Sequence, residues 1–226
     1  MNSAVIVAAG RSRRMGGTVD KAFLSLGSRP VVVHSLLAFE QCPDVDEIVL
    51  VVRKEQIPAA EAAVRMFGCR KVRRVVPGGA TRLASVRAGL AALDPDSALV
   101  AVHDGARPGV TAELVSDCMR SAKRTGTGVA AAKVTDTLKA VGRGGLIERT
   151  VDREPLWAAQ TPQAFRTGLL RRALDAADDR DPTITDESAA VERLGESVRI
   201  VANAHPNPKI TYPEDVAVVA RLLGIV

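Results

Sequence analysis

The chain ends its first apolar run in a basic loop, Val5-Ile6-Val7-Ala8-Ala9-Gly10-Arg11-Ser12-Arg13-Arg14-Met15, with Lys21 a short way on. Small residues at Ala8, Ala9 and Gly10 let backbone N–H groups approach a ligand and point at phosphate oxygens. Arginine adds a planar, always-charged fork, and lysine a mobile point charge. These are the parts of a polyphosphate site at the first strand end of an α/β sheet, where such sites are expected. The plain alternative is a basic surface turn. The loop lacks the Gly-x-Gly-x-x-Gly spacing of dinucleotide binders and the Gly-Lys-Ser/Thr ending of P-loops.

Three further clusters carry chemistry. Gly78-Gly79-Ala80-Thr81-Arg82-Leu83-Ala84-Ser85 sits between a strand and a helix. It reads as a turn with Thr81 as N-cap and also as a bulk-free bed for a pyrimidine base, with the Ser85 hydroxyl beside it. In Val102-His103-Asp104-Gly105-Ala106-Arg107-Pro108 an apolar strand ends in a carboxylate. Asp104 there suits Mg²⁺ or a ribose hydroxyl, and an Asx turn is the plain alternative. Lys209, in Asn207-Pro208-Lys209-Ile210-Thr211, is by itself an ordinary solvent-facing lysine.

The elements that position these clusters alternate. Strands are predicted at residues 4–8, 47–52, 73–76, 98–103 and 128–133. Helices are predicted near 30–39, 56–67, 81–93 and 111–124. Short valine-rich strands alternating with helices predict a three-layer, mostly parallel α/β sheet. Residues 134–153 break the rhythm around Gly142-Arg143-Gly144-Gly145 and predict a protruding β-hairpin arm. A loop is expected near Gln160-Thr161-Pro162, then helices near 166–176 and 186–194, a strand over 198–201 and a last helix from Pro213. Residues 1–226 are expected to form one domain, with the arm within it.

Composition narrows the function. The chain has 226 residues, 46% hydrophobic and 25% charged, with a net charge of +5. Aromatics are only 3%, so base-stacking platforms are scarce and no nucleic-acid partner is expected. The excess charge, in groups such as Arg70-Lys71 and Arg171-Arg172, suits solvated surface and small polyanionic substrates. Nothing is long and apolar enough to span a bilayer, and no signal peptide is visible. Cys42, Cys69 and Cys118 are widely spaced and read as reduced thiols of a cytoplasmic protein. His34, His103 and His205 are too scattered for a zinc site.

The basic loop resembles the signature loop of nucleotidyltransferases that build sugar- and alditol-diphosphonucleotides. With residues 78–85, 103–108, 150–153, 160–165, 183–188 and 209–211 in this order, the chain resembles the 2-C-methyl-D-erythritol 4-phosphate cytidylyltransferases almost from end to end. That resemblance implies a Rossmann-like nucleotidyltransferase fold. It implies transfer of a cytidylyl group from CTP to methylerythritol phosphate, with Mg²⁺ as cofactor and pyrophosphate released. It implies that Arg14, Lys21 and Lys209 neutralise charge at the reacting phosphates. Ala8, Ala9, Gly10, Gly79, Ala80 and Ser85 would bind the nucleotide, with Asp104 and Gly105 facing its ribose and metal. Arg107, Thr137, Arg153 and Thr161 would hold the alditol phosphate. In the family the arm crosses to the second subunit of a homodimer.

Three positions depart from the family pattern. Asp20 stands where proline is usual, Gly105 where alanine or serine is common, and Pro208 where an apolar residue is usual. A carboxylate beside Lys21 could alter its charge balance. A substrate phosphomonoester is mostly dianionic at neutral pH and attacks without a general base, so the absence of a Ser-His-Asp set is expected. The nearest rival is a ribitol-5-phosphate cytidylyltransferase of the same fold, which residues 150–157 and 183–188 disfavour. A non-catalytic nucleotide-binding regulator would require an eroded site, and a dinucleotide oxidoreductase lacks its glycine fingerprint.

Overall fold

Alternate residues of the strand β1 (Asn2–Ala8) go to opposite faces: Ala4, Ile6 and Ala8 to one hydrophobic cluster, Val5 to another. The computed structural model describes residues 1–10, 20–179, 181 and 183–225. The same two-sided burial holds along β4 (Glu47–Val52) and β6 (Leu99–Asp104), so both faces of the sheet need a helical cover. Helices α1 (Val31–Gln41), α2 (Ile57–Met66) and α4 (Ala112–Thr125) supply one layer. Helices α3 (Arg82–Ala91), α5 (Thr167–Ala176) and α6 (Glu187–Arg193) supply the other.

The remaining sheet strands are β5 (Val72–Pro77), β7 (Thr127–Lys133), β10 (Trp157–Arg166) and β11 (Ile200–Ala202). Their order is β11-β7-β10-β6-β1-β4-β5, and β10 alone runs antiparallel to its neighbours. After β1 the chain builds β4 and β5 on one side, then crosses to β6 on the other. The reversal leaves a crevice at the strand ends between β1 and β6. Short strands β2 (Ser25–Leu26) and β3 (Arg29–Pro30), which the sequence reading did not predict, pair beside α7 (Asp215–Leu222) in a small third cluster.

The predicted alternation and the three layers are present. So is the arm, as a separate two-stranded sheet of β8 (Leu138–Val141) and β9 (Ile147–Val151). One expectation is corrected: residues 160–162 are not a loop but the middle of β10. Proline argued against a central strand because it cannot donate to a ladder. Here the register with β7 shifts between Ala159 and Gln163, so Pro162 falls where pairing is interrupted.

Candidate active site

The small residues at the end of β1 open into a cleft of about 950 Å³. Ala8, Ala9 and Gly10 form one wall, Gly78, Gly79, Ala80 and Ser85 another, and Lys21, Asp104 and Lys209 bring charge to it. Arg14 belongs to residues 11–19, which lie outside those described. The cleft therefore gathers three of the four sequence clusters and the described end of the first.

Each of these groups is held by its own element. Thr81 caps α3, its Oγ1 accepting the Ala84 N–H at 3.0 Å. Ser85, one turn on, accepts the Gly79 N–H at 3.1 Å and donates to the Thr81 carbonyl at 2.9 Å. Its hydroxyl thus braces the glycine turn. A Cβ on Gly78 would lie 2.3 Å from the Ala9 Cβ, so the two turns touch only because Gly78 has none. Lys209 is set by Asn207, whose buried amide donates to the Thr161 carbonyl at 2.8 Å, and by the Ile210 N–H, which donates to the Ala106 carbonyl at 2.9 Å. Lys21 opens a short 3-10 turn (Lys21–Phe23) and donates from Nζ to the Ile210 carbonyl at 2.9 Å.

Asp104 is the electrostatic centre. Its Oδ1 accepts from Arg82 Nε at 3.1 Å and its Oδ2 from Lys209 Nζ at 2.7 Å, with Arg107 Nε 3.9 Å away. Burial alone would push its carboxyl up. Arg82, Lys209 and Arg107 outweigh burial and hold it well below the usual carboxylate range. Arg82 is gripped from behind by both oxygens of Glu187, which is fully buried at the start of α6. Burial pushes the Glu187 carboxyl up, and the Arg82 guanidinium opposes it. Gln163 on β10 ties this helix start down, donating to Asp186 at 2.8 Å and accepting the Ser188 N–H at 3.0 Å.

Neither Arg82 nor Glu187 received a role from the sequence. Arg82 stood inside the glycine motif, but its partners lie 22 and 105 positions away, and no local spacing signals such a pair.

The expected alditol-phosphate group divides. Thr161 is buried behind Asp104: its hydroxyl accepts the Asp104 N–H at 3.0 Å and lies 3.0 Å from His103 Nδ1. Arg107 turns to the Asn207 carbonyl at 2.8 Å. Gly105, expected beside Asp104 at the ribose rather than at the alditol phosphate, packs inward, where a Cβ would meet Val32 and Ala8 at 3.1 and 3.2 Å. Thr137 and Arg153 lie exposed at the arm, with Arg153 donating to the Thr135 carbonyl. None of these five lines the chain's own cleft.

No group of three or more His, Cys, Asp or Glu side chains among the described residues could hold a metal ion. Both Asp104 oxygens already face cations. This donor set does not fit a metal resident on the protein.

A doubly wound sheet, a glycine-lined cleft at its switch point and lysines beside a carboxylate define a nucleotide-binding α/β protein built to handle phosphate charge. The family model for IspD, 2-C-methyl-D-erythritol 4-phosphate cytidylyltransferase, matches residues 2–224, and the chain belongs to that family. The cytidylyltransferase of Alkaliphilus metalliredigens is 38% identical over 221 residues, 97% of this chain and 92% of that one. That of Pelotomaculum thermopropionicum is 42% identical over 222 residues, 98% of this chain and 93% of that one. The solved 4-diphosphocytidyl-2C-methyl-D-erythritol synthase of Anaerococcus prevotii superposes with a TM-score of 0.86 at 30% identity, covering 99% of this chain and 98% of its own.

Proposed function

We propose that the chain transfers the cytidylyl group of CTP to 2-C-methyl-D-erythritol 4-phosphate. An oxygen of the substrate phosphate bonds to the α-phosphorus, the bond to the β-phosphate breaks, and pyrophosphate leaves. The observation that carries this reading is the joint lining of one cleft by Lys21, Lys209, Asp104 and three turns of small residues. The nucleophile is already an anion, so the protein's work is in-line placement and charge cancellation.

In this reading Lys21, together with Arg14 of the basic loop, meets the triphosphate. Lys209, oriented by Asp104, meets the α-phosphate and the incoming phosphate. Ala8, Ala9 and Gly10 pass their backbone along the nucleotide. The base lies on Gly79 and Ala80. Because the Ser85 hydroxyl is engaged within its own turn, choice of cytosine falls to backbone donors and acceptors. Asp104, with Gly105 beside it, faces the ribose. Mg²⁺ enters as the counter-ion of CTP and part of the substrate.

Arg153, Thr137, Arg107 and Thr161 remain the residues assigned to the alditol phosphate, the last two as supports of the Asp104 strand end. The exposure of Val141, Leu146 and Ile147 on the arm supports a homodimer in which the arm reaches the neighbouring cleft. No helix among the described residues is long and apolar enough to cross a membrane. With three buried free thiols, a cytoplasmic enzyme is the consistent placement.

The test is pyrophosphate release with methylerythritol phosphate and ribitol 5-phosphate supplied separately, each with CTP, UTP, ATP and GTP. Turnover is expected with CTP and methylerythritol phosphate. Equal rates with UTP or with a purine nucleotide would remove the cytosine assignment, and faster turnover of ribitol 5-phosphate would replace the acceptor.

A further inference from the structure

The cleft wall beside Lys21 carries charge that the reaction as described does not use. Asp20 directly precedes Lys21, and only 3% of its side chain is exposed. Its carboxylate accepts the Ala22 N–H at 3.1 Å, capping the turn that Lys21 opens, and accepts Arg53 Nε at 3.1 Å. Arg53 follows β4, lines the same cleft and is 21% exposed; its Nη1 lies 3.5 Å from Glu55, a solvent-exposed carboxylate at the same cleft. A carboxylate one residue from a lysine that must meet a triphosphate opposes binding twice. It repels the polyanion and it competes for the ammonium, and shielding from water strengthens both effects. The fold keeps Asp20 there because its second oxygen-bearing task, the cap, shapes the turn.

We propose that Arg53 is a positioning residue for Lys21. Paired with Asp20, it cancels that carboxylate's charge at the cleft wall and fixes the capped turn that presents Lys21 to the phosphates. The proposal rests on the cytidylyl-transfer reading. Arg53 acts through Asp20 and touches no reacting atom. Arginine suits this task because its charge is permanent and its fork can hold the carboxylate while its stem packs along the wall. Burial pushes the Asp20 carboxyl up, and the cap hydrogen bond and Arg53 both oppose that rise, as a neutralising partner should.

The experiment is a double-mutant cycle of Arg53→Met and Asp20→Asn, with Arg53→Lys as the charge-conserving control. Two quantities are read on the full chain, after thermal melts establish folding: kcat for pyrophosphate release, and the affinity for inorganic tripolyphosphate by calorimetry. With Asp20 in place, Arg53→Met should lower both by roughly tenfold, the effect of about 1.4 kcal/mol, and Arg53→Lys should recover most of the loss. In the Asp20→Asn background the same change should cost less than about twofold, because the buried carboxylate next to Lys21 is gone and the Glu55 carboxylate that remains is solvent-screened. An equal loss in both backgrounds overturns the proposal and makes Arg53 a direct phosphate contact or a packing residue. If the parent chain releases no pyrophosphate but the tripolyphosphate cycle shows the coupling, the transfer reading fails and the role of Arg53 stands. Turnover without coupling in either readout fails the proposal alone.

Discussion

Asp104 marks the residue scale, because three cations converge on one buried carboxylate at a strand end. Two of them, Arg82 and Lys209, take an oxygen each, and Glu187 secures Arg82 from the far side. A buried ion pair that loses one partner leaves an uncompensated charge, so these groups act as one unit. Its backbone support is also polar. The Asp104 N–H donates to the Thr161 oxygen; the Arg107 carbonyl, 3.3 Å from His103 Nε2, can only accept, which places the proton of neutral His103 on Nε2 and has the Thr161 hydroxyl donate to Nδ1. His103 is fully buried and neutral: burial lowers its pKa from 6.5 to about 3. The unfolded chain therefore binds a proton that the folded chain refuses between those two values. Stability from this source is full above about pH 6.5 and falls as pH drops, by up to about 1.4 kcal/mol per pH unit. Urea unfolding at neutral pH and at about pH 5 should show the loss, and His103→Gln should flatten it. An equal slope in the variant would assign the acid sensitivity to other groups.

Element positions were largely legible in the sequence where one periodicity ruled. β1, β4 and β6 read as strands because each is a short, nearly continuous apolar run, as a strand covered on both faces should be. Thr81 read as a cap and is one; Thr111, at the predicted start of the helix over 111–124, also caps it, accepting the Leu114 N–H at 3.1 Å. β10 was missed because Pro162 speaks against a central strand, and only the tertiary register shift makes it tolerable. The Glu187–Arg82–Asp104 chain was missed because it joins α6, α3 and β6 across separations that no local pattern encodes. Gly78 was legible as part of a bulk-free turn that could bed a base, whereas the packing role of Gly89, inside α3, shows only in its surroundings. A Cβ there would stand 2.3 Å from Val5 Cγ1 and 3.0 Å from Val51 Cγ2, so α3 lies on β1 and β4 with no room for a methyl group. Gly89→Ala should cost about 1–3 kcal/mol through overpacking, although alanine is the better helix former. It should also weaken CTP binding, because α3 carries Arg82 and Ser85 into the cleft. A melting temperature at or above that of the parent would show that the helix can shift freely.

For the whole molecule the open face is the arm. Val141, Leu146 and Ile147 are exposed by 55%, 74% and 64%, and a two-stranded hairpin cannot bury them alone. Arg153 stands at its base, away from the chain's own cleft. If the arm serves a neighbour's site, catalysis is a property of the dimer. Lys21→Ala should lower turnover by about 10²–10³, as expected for one preorganised charge donor, and Arg153→Ala should also be inactive. Mixing the two and allowing subunit exchange should restore about a quarter of parent activity, since half the dimers become mixed and each mixed dimer has one intact site. Background activity after proven exchange would confine Arg153 to its own subunit or remove it from any site.

The central claim is attack by a substrate phosphate oxygen on the α-phosphorus of CTP in this cleft. It is tested most directly by ³¹P NMR of the products formed from CTP and methylerythritol phosphate labelled with ¹⁸O on its phosphate. The account predicts label at the oxygen bridging the two phosphorus atoms of the cytidine diphospho-alditol, and unlabelled pyrophosphate. Label in the released phosphate, or a product lacking it at the bridge, would contradict it.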